Sequence, residues 1–124
     1  KSSGKGGRNA GGVEHNWNED IPVLARSMVL AKDTIFLAGP PDNTDEEDTF
    51  QRIINQDKTV DAELAEQDAA LQGKHGGILL AVDKNTGKQL SSITLQELPT
   101  WDGMAAANGK IFITTEKGKV ICLE

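Results

Sequence analysis

Apolar residues along this chain come in short bursts separated by turn-forming pairs. Residues 23–31 and 34–39 place Met28, Val29, Leu30, Ile35, Phe36 and Leu37 on either side of Lys32-Asp33, the pattern of a strand, a tight turn and a second strand. Residues 78–83 and 88–95 flank Lys84-Asn85-Thr86-Gly87, where Gly87 supplies the positive φ that such a turn needs. Residues 102–108, 110–115 and 119–124 follow, divided by Asn108-Gly109 and Lys117-Gly118. An Asn-Gly pair between apolar runs is a strong hairpin signal. The run Ile78-Leu79-Leu80-Ala81-Val82 is continuously apolar, as expected for a strand buried on both faces. The pattern predicts seven short antiparallel strands in an all-β fold.

Between the second and third strands the period changes. Thr44 and Glu47 have capping-box spacing and predict a helix start, with Phe50, Ile53 and Ile54 on the helix that follows. From Thr59 to Gln72, Val60, Leu64 and Leu71 keep helical spacing with Ala65 and Ala69 beside them, and Gly73 and Gly76-Gly77 end the run. Residues 43–76 therefore read as a small insertion of two helices on the outside of the sheets.

The strands repeat. Laying residues 24–39 over 100–115 matches Met28 with Met104, Ala31 with Ala107, Ile35 with Ile111 and Phe36 with Phe112. Laying 77–83 over 118–124 matches Leu79 with Val120, Leu80 with Ile121, Val82 with Leu123 and Asp83 with Glu124. The offsets are 76 and 41, and their difference of 35 is the length of extra sequence in the first copy, essentially the helical insertion.

Charge sharpens the picture of that insertion. The chain carries a net charge of −6. Residues 42–73 hold ten acidic side chains against Arg52 and Lys58, a local −8. A phosphate backbone is repelled there, so nucleic acid is an unfavourable partner. A solvated face is the plain reading of the run, and a partner-binding lid the sharper one. No apolar stretch reaches the length of a membrane span. Cys122 is the only cysteine, which excludes an internal disulfide, and its place in Val120-Ile121-Cys122-Leu123 predicts a buried, inert thiol.

The segment ILLAVDKNTGKQL (78–90) resembles the signature of quinoprotein-type (PQQ-like) repeats, approximately LYALDAATGKELW, through Ala81, Asp83, Thr86, Gly87, Lys88 and Leu90. The segment MAAANGKIFITTEKGKVICLE (104–124) resembles the part that follows. That resemblance covers residues 23–39 and 77–124. It implies β-propeller blades, each a four-stranded antiparallel meander, here about one and three quarter blades. It also implies a C-terminal position in a larger bacterial protein of the periplasm or another extracytoplasmic compartment. On this reading residues 1–20 are a Gly-rich flexible linker, 21–42 the first two strands of a blade, 43–76 the acidic insertion, and 77–124 the rest. The family's tryptophan after Leu90, which docks between neighbouring blades, is Ser91 here. Trp101 sits elsewhere and either packs between blades or lines a groove.

No catalytic constellation is expected from the sequence. His15 and His75 are far apart and lack zinc-site companions. Ser27, Ser91 and Ser92 lie in no nucleophile elbow, GKGGRNAGG lacks the ending of a phosphate-binding loop, and DNTDEED lacks the spacing of an EF-hand. Surface features worth testing for interaction are Trp101, Asp102, Glu46 and Glu47. The expected function is a non-catalytic binding or scaffolding segment with no cofactor of its own. Its partners would be the remaining blades, from the same polypeptide or another chain, and protein partners at the acidic insertion. Two alternatives stand beside it: part of a quinoprotein dehydrogenase whose PQQ and calcium lie in other blades, or a structural part of an envelope assembly. Because repeats of this kind bury their faces against neighbours, the chain alone is expected to be marginally stable.

Overall fold

A computed structural model describes residues 14–124, and the glycine-rich start at 1–13 lies outside the described residues. Seven strands and two helices follow one another: β1 (Ser27–Ala31), β2 (Thr34–Gly39), α1 (Glu46–Ile54), α2 (Thr59–Leu71), β3 (Gly77–Asp83), β4 (Gln89–Leu95), β5 (Pro99–Ala107), β6 (Lys110–Thr115) and β7 (Val120–Leu123). The strands form two antiparallel meanders, one of four in the order β1-β2-β3-β4 and one of three in the order β5-β6-β7. The fold is thus mostly β, with the two helices inserted between β2 and β3.

Local chemistry accounts for the turns. Asn108 and Gly109 both take positive φ, 53° and 74°, the backbone of a two-residue turn whose twist matches its strands. After β3, the Asp83 carboxylate accepts from the backbone N–H groups of Asn85 and Thr86 at 2.7 and 3.0 Å. Gly87 closes the same turn with its N–H on the Asp83 carbonyl at 2.9 Å. The acid of the AxDxxTG run is therefore a turn-forming residue, tying its own backbone in the manner of an Asx-turn.

Two strand limits differ from the sequence expectation. β1 begins at Ser27 rather than Val23, because Val23 makes an isolated bridge with Pro41. Leu24 and Arg26 still reach across to the Pro40 and Ala38 carbonyls, with Ala25 between them unpaired. β5 begins earlier, at Pro99 opposite Thr115, then loses register before Met104 opposite Ile113. Asp102, at φ 55°, lies inside that irregularity and bends the strand.

The sheets stack face to face. Ala38, Leu79 and Leu95 of one sheet meet Ile111 and Ile113 of the other, with Phe36, Met104, Ile121 and Leu123 around them. A second cluster lies on the far face of the four-stranded sheet, where Leu37, Leu80 and Val82 pack under Val23, Trp17 and Ile21. Leu79, Leu80, Ala81 and Val82 are all buried, so β3 is covered on both faces as its apolar run predicts.

Three details depart from the sequence expectations. The N-cap of α1 is Asp45, whose carboxylate accepts from the Asp48 N–H at 3.0 Å, and not Thr44 with Glu47. The capping shift is one residue, and both positions satisfy the composition rule for a cap. The inward residues of α2 are Val60, Gln67 and Ala70, while Leu64 and Leu71 are 40% exposed. Gln67 is drawn in because its side chain accepts from the Asn43 N–H at 2.6 Å and donates to the Pro41 carbonyl at 3.1 Å. Cys122 is exposed, not buried. It alternates with Ile121 and Leu123 along β7, and those two take the core side.

Ile113 is fully buried between the sheets, whereas Val120 is 70% exposed on the outer face of the three-stranded sheet. We expect Ile113→Ala to cost about 2–5 kcal/mol and Val120→Ala less than about 0.5 kcal/mol, read from urea unfolding of both variants. Comparable losses at the two positions would contradict stacking of the sheets through the Ile113 face.

Candidate interaction surfaces

The residues singled out in the sequence fall in two separate places. Trp101 is 71% exposed on β5 and does not lie between the sheets. Its ring stacks under the Arg26 guanidinium, 5.4 Å from the ring centroid. Asp102 donates its backbone N–H to the Arg26 carbonyl at 3.0 Å. Glu46 and Glu47 lie elsewhere, on the first turn of α1, where they border a cleft lined also by Glu19, Asp20, Asp42 and Asp45. Trp101 and Asp102 do not line that cleft.

Arg26, which the sequence did not mark, organises the first of these places. Its side chain is 9% exposed and pairs with Glu116 at 2.6 Å. Its second nitrogen donates to the Leu71 carbonyl at 2.8 Å, satisfying an orphan acceptor at the C-terminus of α2. One guanidinium thus joins the lead-in to β1, the end of α2, Trp101 of β5 and the β6–β7 turn. Nothing in the local sequence distinguishes Arg26 from other bases. The partners lie 45 and 90 residues away and become neighbours only when the sheets stack.

The acidic insertion is held by a second arginine. Arg52 bonds Asp57 at 2.9 Å, Glu63 at 2.7 Å and Thr59 at 2.6 Å, with Asp48 at 3.4 Å. The three carboxylates raise its pKa, the bond to Glu63 most of all. Asp57 is held down to about 2, first by the Thr59 hydroxyl and N–H and then by Arg52. Along α2, Glu66 sits below its ordinary value through hydrogen bonds with His75 and then Lys74, and His75 stays exposed in the turn after the helix with its Nε2 2.9 Å from the Glu66 carboxylate. Beneath the three-stranded sheet, Glu97 is lowered by Lys119 and then by the buried Thr115 hydroxyl.

Trp17 falls within the stretch 1–20 that the sequence suggests is flexible linker, yet it is docked on the fold. Its indole N–H donates to the Lys84 carbonyl at 2.8 Å. Its ring covers Gly87, where an added Cβ would collide with it and where φ is 75°. An aromatic residue spaced well before the first strand is a weak signal by itself. Only the fold brings it 67 residues forward onto the Thr86-Gly87 turn. A further cleft of about 660 Å³ opens between the β1–β2 and β5–β6 hairpins beside Phe36, Ile111 and Glu124. Among the described residues, no three His, Cys, Asp or Glu side chains converge as metal ligands, and no helix is long and apolar enough to cross a membrane.

Arg26→Ala should lower stability by about 2 kcal/mol by removing a hydrogen-bonded guanidinium and orphaning the Leu71 carbonyl. Arg26→Lys should recover only part of it, because an ammonium cannot fork between Glu116 and Leu71. Thermal melts of both variants check this, and equal stability for all three proteins would refute it. Asp57 gives a pH test. Its folded pKa lies below its unfolded value, so its contribution is complete above about pH 4 and disappears as pH falls through about 2. An Asp57→Asn variant should therefore lose the part of the acid-limb dependence that lies between those values. Comparison with protein-family models, curated proteins and solved structures gave no match for this chain.

Proposed function

We propose that this chain is a segment of a PQQ-like β-propeller, serving as a non-catalytic binding and scaffolding module of a larger bacterial extracytoplasmic protein. The observation that carries this reading is the way the internal repeat meets the stacking. On the four-stranded sheet, Phe36, Ala38 and Leu79 face the other sheet. Their repeat equivalents, Phe112, Thr114 and Val120, face away from it. The three-stranded sheet meets its neighbour with Ile111, Ile113, Ile121 and Leu123 instead. Those are the equivalents of Ile35, Leu37, Leu80 and Val82, which lie on the far face of the first sheet.

The front of one repeat therefore packs on the back of the next. A two-layer sandwich of equivalent sheets would join like faces and close. A front-to-back contact is heterologous, and repeated application of it propagates an array or closes a ring. Two further features agree with blades. The first strands β1 and β5 lie side by side, as strands nearest the axis of a ring do. Trp17 docks on Gly87 and Lys84, which is the part that the resemblance assigns to a tryptophan reaching over from an adjoining blade.

This reading predicts a third sheet on the front of β5-β6-β7, where Phe112 and Val120 are exposed and Cys122 lies on the same open face. The remaining blades, from the same polypeptide or another chain, are the partners proposed for it. The dehydrogenase alternative puts the calcium and quinone in other blades, so it asks for no metal ligands among these residues.

Cys122 provides the test. Its thiol should react with a maleimide at the rate of an exposed cysteine in the isolated chain, and at least about tenfold more slowly once adjoining blades are present. Equal reactivity in the two settings would sink the blade reading. Quinone absorbance in protein reconstituted with calcium would favour the dehydrogenase instead.

A further inference from the structure

Helix α1 is turned inside out. Its buried residue is Thr49, and the side chain of Arg52 is only 24% exposed. Phe50, Ile53 and Ile54, spaced as one helical stripe, are 60%, 53% and 58% exposed. A surface helix ordinarily buries such a stripe and leaves its polar face in water.

Internal bonding explains the inversion. Arg52 is committed to Asp57, Glu63 and Thr59, all lying between α1 and α2 or on α2 itself. Rolling the apolar stripe inward would swing Arg52 away from these acceptors and break several charge-assisted bonds. The α1–α2 pairing thus fixes the outward aim of the apolar side chains. It also consumes the only base on the helix. Glu46 and Glu47 precede Phe50 by four and three positions and are exposed. The acidic cleft formed with Glu19, Asp20, Asp42 and Asp45 continues their charge.

We propose that the Phe50-Ile53-Ile54 stripe is a docking surface for a basic amphipathic helix of a partner protein. Leucine-like side chains of the partner would cover the stripe, and its lysines or arginines would meet Glu46 and Glu47. The charge decides among occupants. A second copy would set the same acidic rim against itself, and an anionic lipid surface or nucleic acid would be repelled. A neighbouring sheet would cover the stripe without using the acids. The inference is independent of the blade reading, because it concerns the insertion and not the front of β5-β6-β7.

The intact chain can be titrated against a dye-labelled peptide of about 18 residues built from leucine and lysine in helical spacing, followed by fluorescence anisotropy. The expected result is saturable binding that weakens at least about tenfold in Phe50→Ser/Ile54→Ser and about fivefold in Glu46→Gln/Glu47→Gln. Binding should also weaken between about 50 and about 300 mM salt. Both variants alter exposed side chains, so an unchanged melting temperature confirms that they remain folded. Failure to saturate, equal affinity for the Phe50→Ser/Ile54→Ser variant, or equal binding of a leucine–glutamine peptide of the same spacing overturns the proposal. Self-association in sedimentation that Ile54→Ser abolishes overturns it in favour of a second copy.

Discussion

The contact between Ala38 and Leu79 on one sheet and Ile113 on the other is the one on which the rest of this structure depends. Ala38 and Ile113 are both fully buried and Leu79 almost so. The four-stranded sheet covers its far face under Val23, Trp17 and Ile21, but the three-stranded sheet leaves its other face exposed at Phe112, Val120 and Cys122, and an open sheet of three strands gains independent stability only by burying one. Once the sheets are stacked, the ends of β1 and β5 come together, and Arg26 reaches Glu116 and Trp101. The helical insertion then gains its anchor at the Leu71 carbonyl.

That order of dependence explains why the insertion tolerates an unusual surface. Its ion pairs are mostly solvent-exposed, and exposed pairs contribute little each. Val60 and Ala70, both essentially buried, and Gln67 with its two backbone bonds fasten α2 to the body of the protein. α1 is fastened to α2 chiefly through Arg52. A helix held by a single cation network can present an apolar stripe outward, because its orientation is not set by burial.

Much of the strand plan is legible in the residues themselves. Asn108-Gly109, Thr86-Gly87 and Lys117-Gly118 mark turns because positive φ is costly for most other residues. The β-branched and aromatic residues Ile111, Phe112 and Ile113 mark a strand. Other features are not legible there. Thr44 and Asp45 both qualify as caps, and only the backbone direction entering α1 selects between them. Cys122 and Leu123 are equally apolar in a four-residue strand, so sequence alone does not say which faces the core. Leu64 looks like a core residue by spacing, yet Gln67 holds the inner face because Asn43 and Pro41 offer it partners. Of the interaction candidates, Trp101, Asp102, Glu46 and Glu47 are all at the surface. The structure divides them between two places, and it adds Arg26 and Trp17.

What the sequence determined by itself was local: seven strands, two helices, their turns, and a repeat interrupted by an acidic insertion. Those depend on the backbone preferences and side-chain periods of neighbouring residues. What only the tertiary structure decided was facing: front of one sheet on the back of the next, Trp17 on Gly87, Arg26 at the junction, and the apolar stripe of α1 turned to solvent. Facing depends on partners tens of residues away, and a periodic pattern specifies that a face is apolar without specifying what it meets.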